Sequence, residues 1–424
     1  MRMITKDIGR PLEDVRSLRQ FLCVMYDSCV VQRNLYRKCR ILHRDISDAN
    51  IMIAPDTDEY RQRCAEGYAA VKFVNQVLAK CKDAKPNPAC LVIDLGNGAD
   101  LKVERGQNEL TVRTGTPKFI ARSISCGRLL DPDDFDSHTA KMPSMEGTLG
   151  DYSQFMHTAG YEVLDASEAA TQSQVKFTHR LFHDAESTFW VIAWALARST
   201  GGGPESEQGP HPYFSKFFYT MYRHHPEPLY DSREDLGRPS EGYWRSVLHP
   251  DLGILARMLK QMFTYIRPEW GYCPELDPEH VHEALMRSLL AEIIRIDETG
   301  TDIPIAIGGR AIPPALGTML PLSSSTMGSL SKAASNSQKS LPTRSEQNSV
   351  NGSELGGAGS LKKQSKSCQV EPQMPDISHG LQQLKLGLDV TTGEVLEQST
   401  AQGVSLEWKL GTHKLLAVPL GERL

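Results

Sequence analysis

Leu18, Phe21, Leu22, Met25 and Cys29 recur at steps of three, one, three and four, which puts them on one face of a helix running toward Leu35. The apolar runs Ile51-Met52-Ile53 and Leu91-Val92-Ile93 read as buried strands. Between them, Ala70, Val74, Val77 and Leu78 predict a helix over 66–82. Residues 181–197 (LFHDAESTFWVIAWALA) are apolar nearly all round, the pattern of a helix at the centre of a domain. Amphipathic helices are predicted over 251–263 and 279–296. Residues 1–315 therefore read as one α+β domain, mainly α.

That pattern stops near residue 315. Residues 321–370 carry 14 serines among Gly, Asn, Gln and Lys. So few large apolar side chains cannot offset the entropy of ordering, and 316–377 is expected to be a disordered linker. Alternating apolar residues return over 378–424, which is either a small hairpin-like element or a stretch without a fold.

Composition narrows the function classes. At 40% hydrophobic and 23% charged over 424 residues, the chain is neither collagen-like, coiled coil nor wholly disordered. A net charge of −5 offers no basic excess for nucleic acid or an anionic membrane. The longest purely apolar run, Phe189 to Ala197, is nine residues, about half a membrane span. The start, MRMITKDIGRPLEDV, lacks the apolar core of a secretory signal. Nine scattered cysteines without a CxxC pair favour reduced thiols over disulfides or zinc, hence an intracellular protein, cytoplasmic or nuclear.

The densest chemistry lies in His43-Arg44-Asp45-Ile46-Ser47-Asp48-Ala49-Asn50, directly before the 51–53 strand. An aspartate and an asparagine five apart on such a loop form half of a phosphoryl-transfer site: the carboxylate accepts a hydroxyl proton and the amide oxygen holds Mg²⁺. Asp94, at the end of Leu91-Val92-Ile93, supplies the second carboxylate. One carboxylate, one amide and phosphate oxygens suffice for a cation that prefers hard ligands and keeps water.

Arg113-Thr114-Gly115-Thr116-Pro117 follows, and with it the chain resembles the fungal-type protein kinase-like family of the protein kinase superfamily. The resemblance is carried in order by Gly9-Arg10-Pro11-Leu12, ILHRDIS (41–47), NIMI (50–53), DLG (94–96), RTGTPKFIARSIS (113–125), MPSMEG (142–147), HRLFHDAESTFWVIAWALARS (179–199), HPDLGILARML (249–259) and EHVHEALMRSLL (279–290). It covers about residues 1–296 and implies a protein kinase-like fold seen as its helical C-terminal lobe, with inserted segments near 55–88 and 126–176. It implies Asp45 as catalytic base, Asn50 and Asp94 as Mg²⁺ ligands, and Arg44 as the residue steadying the activation segment. Thr116 would position the substrate hydroxyl near Asp45, and Asp184 would cap the catalytic-loop backbone, with His43 supporting that loop. The backbone of Thr5 to Gly9, that is Asp7, Ile8 and Gly9 above all, would be the hinge that meets the adenine of ATP. The activity so implied is ATP- and Mg²⁺-dependent phosphorylation of Ser/Thr hydroxyls on a protein substrate.

Departures from the family pattern open two alternatives. Ser47 stands where Ser/Thr kinases usually carry a lysine that meets the γ-phosphate, which fits a small-molecule phosphotransferase of the same fold. Ala121-Arg122-Ser123 replaces the usual APE triplet, so its buried ion pair is missing or replaced. The resemblance begins at the hinge, with no Gly-rich loop or lysine–glutamate pair, so the N-terminal lobe is expected to be largely absent and autonomous turnover low. That fits a non-catalytic scaffold that binds a docking partner through its open cleft. His179 and His183, four apart, lack a third ligand and read as core rather than metal site.

Overall fold

A computed structural model describes residues 8–67, 71–103, 110–131, 140–156, 161, 175–202, 207 and 209–314, together with three strands at 396–400, 403–410 and 413–417. The Ser-rich linker predicted over 316–377 lies outside the described residues, as does Asp7 of the predicted hinge.

The body is α-rich, with short strands only. Helix α1 (Leu18–Asn34) starts where the Ser17 hydroxyl accepts the Gln20 N–H. It is buried on nearly every side rather than along one face, because it packs on both α9 (His280–Thr299) and α5 (Leu181–Ala197). Helix α5 is buried along its whole length, as its all-round apolar pattern requires. Phe189 and Trp190 meet Trp244 of α7 (Glu241–Val247) and Phe263 of α8 (Ala256–Ile266) in a cluster of mostly edge-to-face rings, with centroids 5.1–6.0 Å apart. Truncating such a buried ring typically costs about 3–5 kcal/mol. The predicted helix at 251–263 begins one residue earlier as a 3-10 turn, Pro250–Leu255, before α8 takes over.

The helix predicted over 66–82 is instead two. Helix α2 spans Asp58–Gly67 and α3 only Val74–Leu78, and Ala70 lies outside the described residues. Tertiary contacts override the spacing. Asn34 of α1 brackets Val71, accepting its N–H and donating to its carbonyl (3.2 and 3.3 Å), and Phe73 is extended. Asp27, fully buried in α1, accepts the N–H groups of Val74 (2.8 Å) and Ala89 (2.7 Å), so one carboxylate holds both ends of the stretch 74–89.

The short strands pair as two antiparallel ladders that position everything below. β1 (Ile41–Leu42) pairs β4 (Ala99–Asp100), with Leu42 opposite Ala99, and β2 (Ile51–Ile53) pairs β3 (Cys90–Val92), with Ile51 opposite Val92. Loop 43–50 joins β1 to β2 and loop 93–98 joins β3 to β4, so pairing the outer and inner strands lays the two loops side by side. Arg10 continues the ladder by exchanging two backbone hydrogen bonds with Ile53 (2.8 and 3.0 Å). A further two-stranded ladder joins β5 (Thr200–Gly201) to β6 (Ile305–Ala306). At the C-terminus, β7 (Leu396–Thr400), β8 (Gly403–Leu410) and β9 (His413–Ala417) form a three-stranded antiparallel sheet. No described helix is long and apolar enough to cross a membrane.

Burial also leaves a titration signature. The His179 and His280 rings are pushed down to about 3 and His224 to about 4, chiefly by desolvation, and His183 and His282 lie well below their usual value for the same reason. Once unfolded, these five rings protonate near their ordinary value. The unfolded chain therefore gains protons that the native chain refuses as pH falls through about 6.5 to 4, and stability drops. Four carboxyls oppose this: Asp27, raised to about 7, and Asp184, Glu269 and Asp48, also raised. Five groups outweigh four, so the melting temperature is expected to fall between pH 6.5 and 4.5. A flat or rising profile in a pH series of thermal melts would contradict the burial of neutral rings.

Candidate active site

Loop 43–50 is fixed from the central helix. Asp184, in the first turn of α5, accepts the His43 N–H on Oδ2 and the Arg44 N–H on Oδ1, both at 2.9 Å. Burial pushes this carboxyl up, while His43, Arg44 and their two N–H groups pull it back. The buried His43 ring is held in turn: Nε2 lies 2.9 Å from the Ile93 carbonyl, and Nδ1 accepts the Asp45 N–H at 3.3 Å. His43 thereby ties loop 43–50 to the start of loop 93–98.

Arg44 sits at φ 66° and Asp94 at φ 61°, a left-handed conformation that costs a residue with a side chain roughly 1–2 kcal/mol. Such strain persists only where the surroundings dictate it. At Arg44, the two-point grip of Asp184 does so, and Nη2 donates to the Val112 carbonyl (3.2 Å) of the following segment. At Asp94, the carboxylate turns back to accept the Gly96 N–H (3.2 Å) and remains exposed.

The Asp45 carboxylate is held on both oxygens. Oδ1 accepts the Thr116 N–H (2.7 Å) and the Thr116 hydroxyl (2.9 Å), and Oδ2 accepts the Asn97 amide N–H (3.0 Å). Gly115, at φ 131°, lets this turn close: a Cβ there would lie 3.3 Å from the Arg44 carbonyl. Asn50 Nδ2 donates to the Asp45 carbonyl (2.8 Å), which leaves its Oδ1 for another partner. The Asn50 carbonyl accepts the Ile93 N–H (3.0 Å), so Asn50 and Asp94 flank one rung of the β2–β3 ladder. The Ser47 carbonyl accepts the Asn50 and Ile51 N–H groups and closes the turn into β2.

The arrangement therefore brings together His43, Arg44, Asp45, Ser47, Asn50, Asp94, Thr116 and Asp184. Of the hinge backbone, Gly9 packs against Met52, where a Cβ would come within 2.7 Å of the Met52 Cβ, and Ile8 is 83% exposed beside it. Hard oxygen donors from Asn50 and Asp94 suit a Mg²⁺ ion that keeps several waters. Among the described residues, no group of three or more His, Cys, Asp and Glu side chains gathers as a metal site. His183 spends its nitrogens on Arg180 and on the Ser123 hydroxyl (3.0 Å).

Two participants escape the sequence patterns. Asn97 is one; its only signal is its place three residues after Asp94. Glu186 is the other. Its Oε1 accepts the Arg122 N–H (3.0 Å) and the Arg122 Nε–H (2.7 Å), while Arg122 Nη2 also donates to the Ile266 and Arg267 carbonyls. The ion pair expected to be missing or replaced after residue 120 is thus replaced, with the cation on the segment and the anion on the central helix. Asp184 and Glu186 are the two acids in an otherwise apolar helix, and each needed a partner.

Residues 1–196 match a family described as fungal protein kinase. No curated protein and no solved structure matches the chain.

Proposed function

Residues 1–196 are a fungal-type protein kinase-like segment, and on that premise we propose that the chain transfers phosphoryl groups from ATP to Ser/Thr hydroxyls of a protein substrate. The observation that supports this most directly is the Asp45 carboxylate, oriented by Thr116 and Asn97 on a loop clamped by Asp184. Asp45 would take the proton of the attacking hydroxyl, and Thr116 would hold that hydroxyl beside it. Asn50 Oδ1 and Asp94 would hold Mg²⁺, which neutralises charge on the phosphates. Arg44, through Val112, would keep segment 110–121 in register with the base. Gly9 and its neighbours would lie along the adenine, on the strand edge formed with Ile53. In domain terms, residues 1–315 would carry this unit, with 316–377 as a linker and 378–424 as a C-terminal tail.

The test is transfer of labelled γ-phosphate to a Ser/Thr-rich protein. Label is expected with Mg²⁺ and is expected to vanish with chelator or with Asn50→Ala. Label that persists in Asn50→Ala and Asp94→Ala would remove the cation site from this reading. A second reading is favoured by Ser47, which puts no cation where protein kinases usually carry lysine: the acceptor would then be a small-molecule alcohol, and label would appear on an amino-sugar or choline-like compound and not on protein.

A further inference from the structure

A cavity of about 330 Å³ opens between the segment before α7 and the C-terminal half of α8. Lys260, Phe263, Thr264 and Arg267 line one wall, spaced at three, four and seven residues along one face of α8. Arg238, Pro239 and Ser240 line the other, and Pro268 closes the end. Three cations face this space, and no carboxylate lines it among the described residues.

No acid pairs with Arg238 or Lys260 among the described residues, and both are exposed. Arg267 Nη1 donates to the Gly237 carbonyl, which ties the mouth of the cavity to α8. Of the acids three residues from Arg238, Glu241 pairs with Arg245 and Asp235 hydrogen-bonds with Tyr230. A helix C-terminus ordinarily repels anions through its free carbonyls. Here Arg122 takes the Ile266 and Arg267 carbonyls and Thr264 takes that of Lys260. The floor is apolar, formed by buried Phe263 and Pro268. Convergent guanidinium, ammonium and hydroxyl groups over a ring suit a dianion attached to an apolar body.

We propose that this cavity binds a phosphate monoester on an aromatic or short aliphatic body, with Arg238 and Lys260 gripping the phosphate and Phe263 and Pro268 receiving the body. The site is separate from the Asp45 loop and does not rest on the catalytic reading. Its volume admits either a small metabolite-sized monoester or a phosphorylated side chain.

Titration of the full chain with phenyl phosphate, followed by calorimetry, tests it. Saturable binding that weakens as salt rises is expected, with phenol binding much more weakly. Arg238→Gln/Lys260→Gln is expected to lose affinity about tenfold or more, since each charged hydrogen bond is worth about that. Both residues are exposed, so the unliganded melting temperature should match wild type, and this control shows that the variant is folded. Equal affinity in the variant, or no binding of phenyl phosphate at millimolar concentration, overturns the proposal. A phosphotyrosine peptide that binds more tightly than phenyl phosphate identifies a phosphorylated protein as the source; equal affinity identifies a small molecule.

Discussion

Asp45→Asn is expected to lower phosphoryl transfer by about 10²–10⁴-fold, the usual worth of a positioned general base. The amide keeps the shape of the carboxylate and can still accept from Thr116, but it cannot take a proton. Binding of Mg²⁺·ATP should stay near wild type, because Asn50 and Asp94 are untouched. Single-turnover transfer alongside nucleotide titration separates the two quantities. A transfer rate equal to wild type would leave Asp45 as a scaffold residue whose role is to gather Thr116 and Asn97, and the base assignment would be wrong. Loss of nucleotide binding together with rate would instead point to a collapsed loop, which Asp184 should prevent.

The largest effect on stability is expected at Arg122→Met. Arg122 and Glu186 are both buried, and removing the cation strands a carboxylate that keeps only the Arg122 N–H and the Trp190 indole N–H (3.1 Å). It also frees the Ile266 carbonyl. Breaking a buried pair from one side typically costs about 3–5 kcal/mol, whereas replacing both partners with apolar residues is often close to neutral. Arg122→Met should therefore lower the urea midpoint sharply, and Arg122→Met/Glu186→Leu should recover much of the loss. If the single variant unfolds at the wild-type midpoint, the pair is an ornament of the fold and not a tie between segment 110–126 and the central helix.

Much of the site was legible from spacing because its residues lie on two short loops next to strands. The interval from Asp45 to Asn50 is set by one turn, closed by the Ser47 carbonyl, so local sequence encodes it. The apolar runs at 51–53 and 91–93 likewise marked strands whose pairing carries Asn50 to the neighbourhood of Asp94. What stayed hidden depends on long-range partners. Asn97 reaches Asp45 across 52 residues, and no periodicity announces it. The helix predicted over 66–82 breaks because Asn34 and Asp27 capture backbone groups near Val71 and Val74, and helical spacing cannot foresee a competitor from another element. The triplet Ala121-Arg122-Ser123 could be read as a departure, yet only Glu186 in place shows what Arg122 does.

The double grip of Asp27 on Val74 and Ala89 bears on how freely this chain can change. Because both ends are pinned to α1, the contour length between them is decoupled from the geometry of the loops that Val74 and Ala89 lead toward. Residues could be added or deleted around Lys80 to Lys85 while Asp45 and Asp94 kept their separation, since loop closure costs only about 0.6 kcal/mol per doubling of length. The stretch between Val74 and Ala89 is then a tolerated graft, open to drift in size, and the buried carboxylate is the joint that makes the graft harmless.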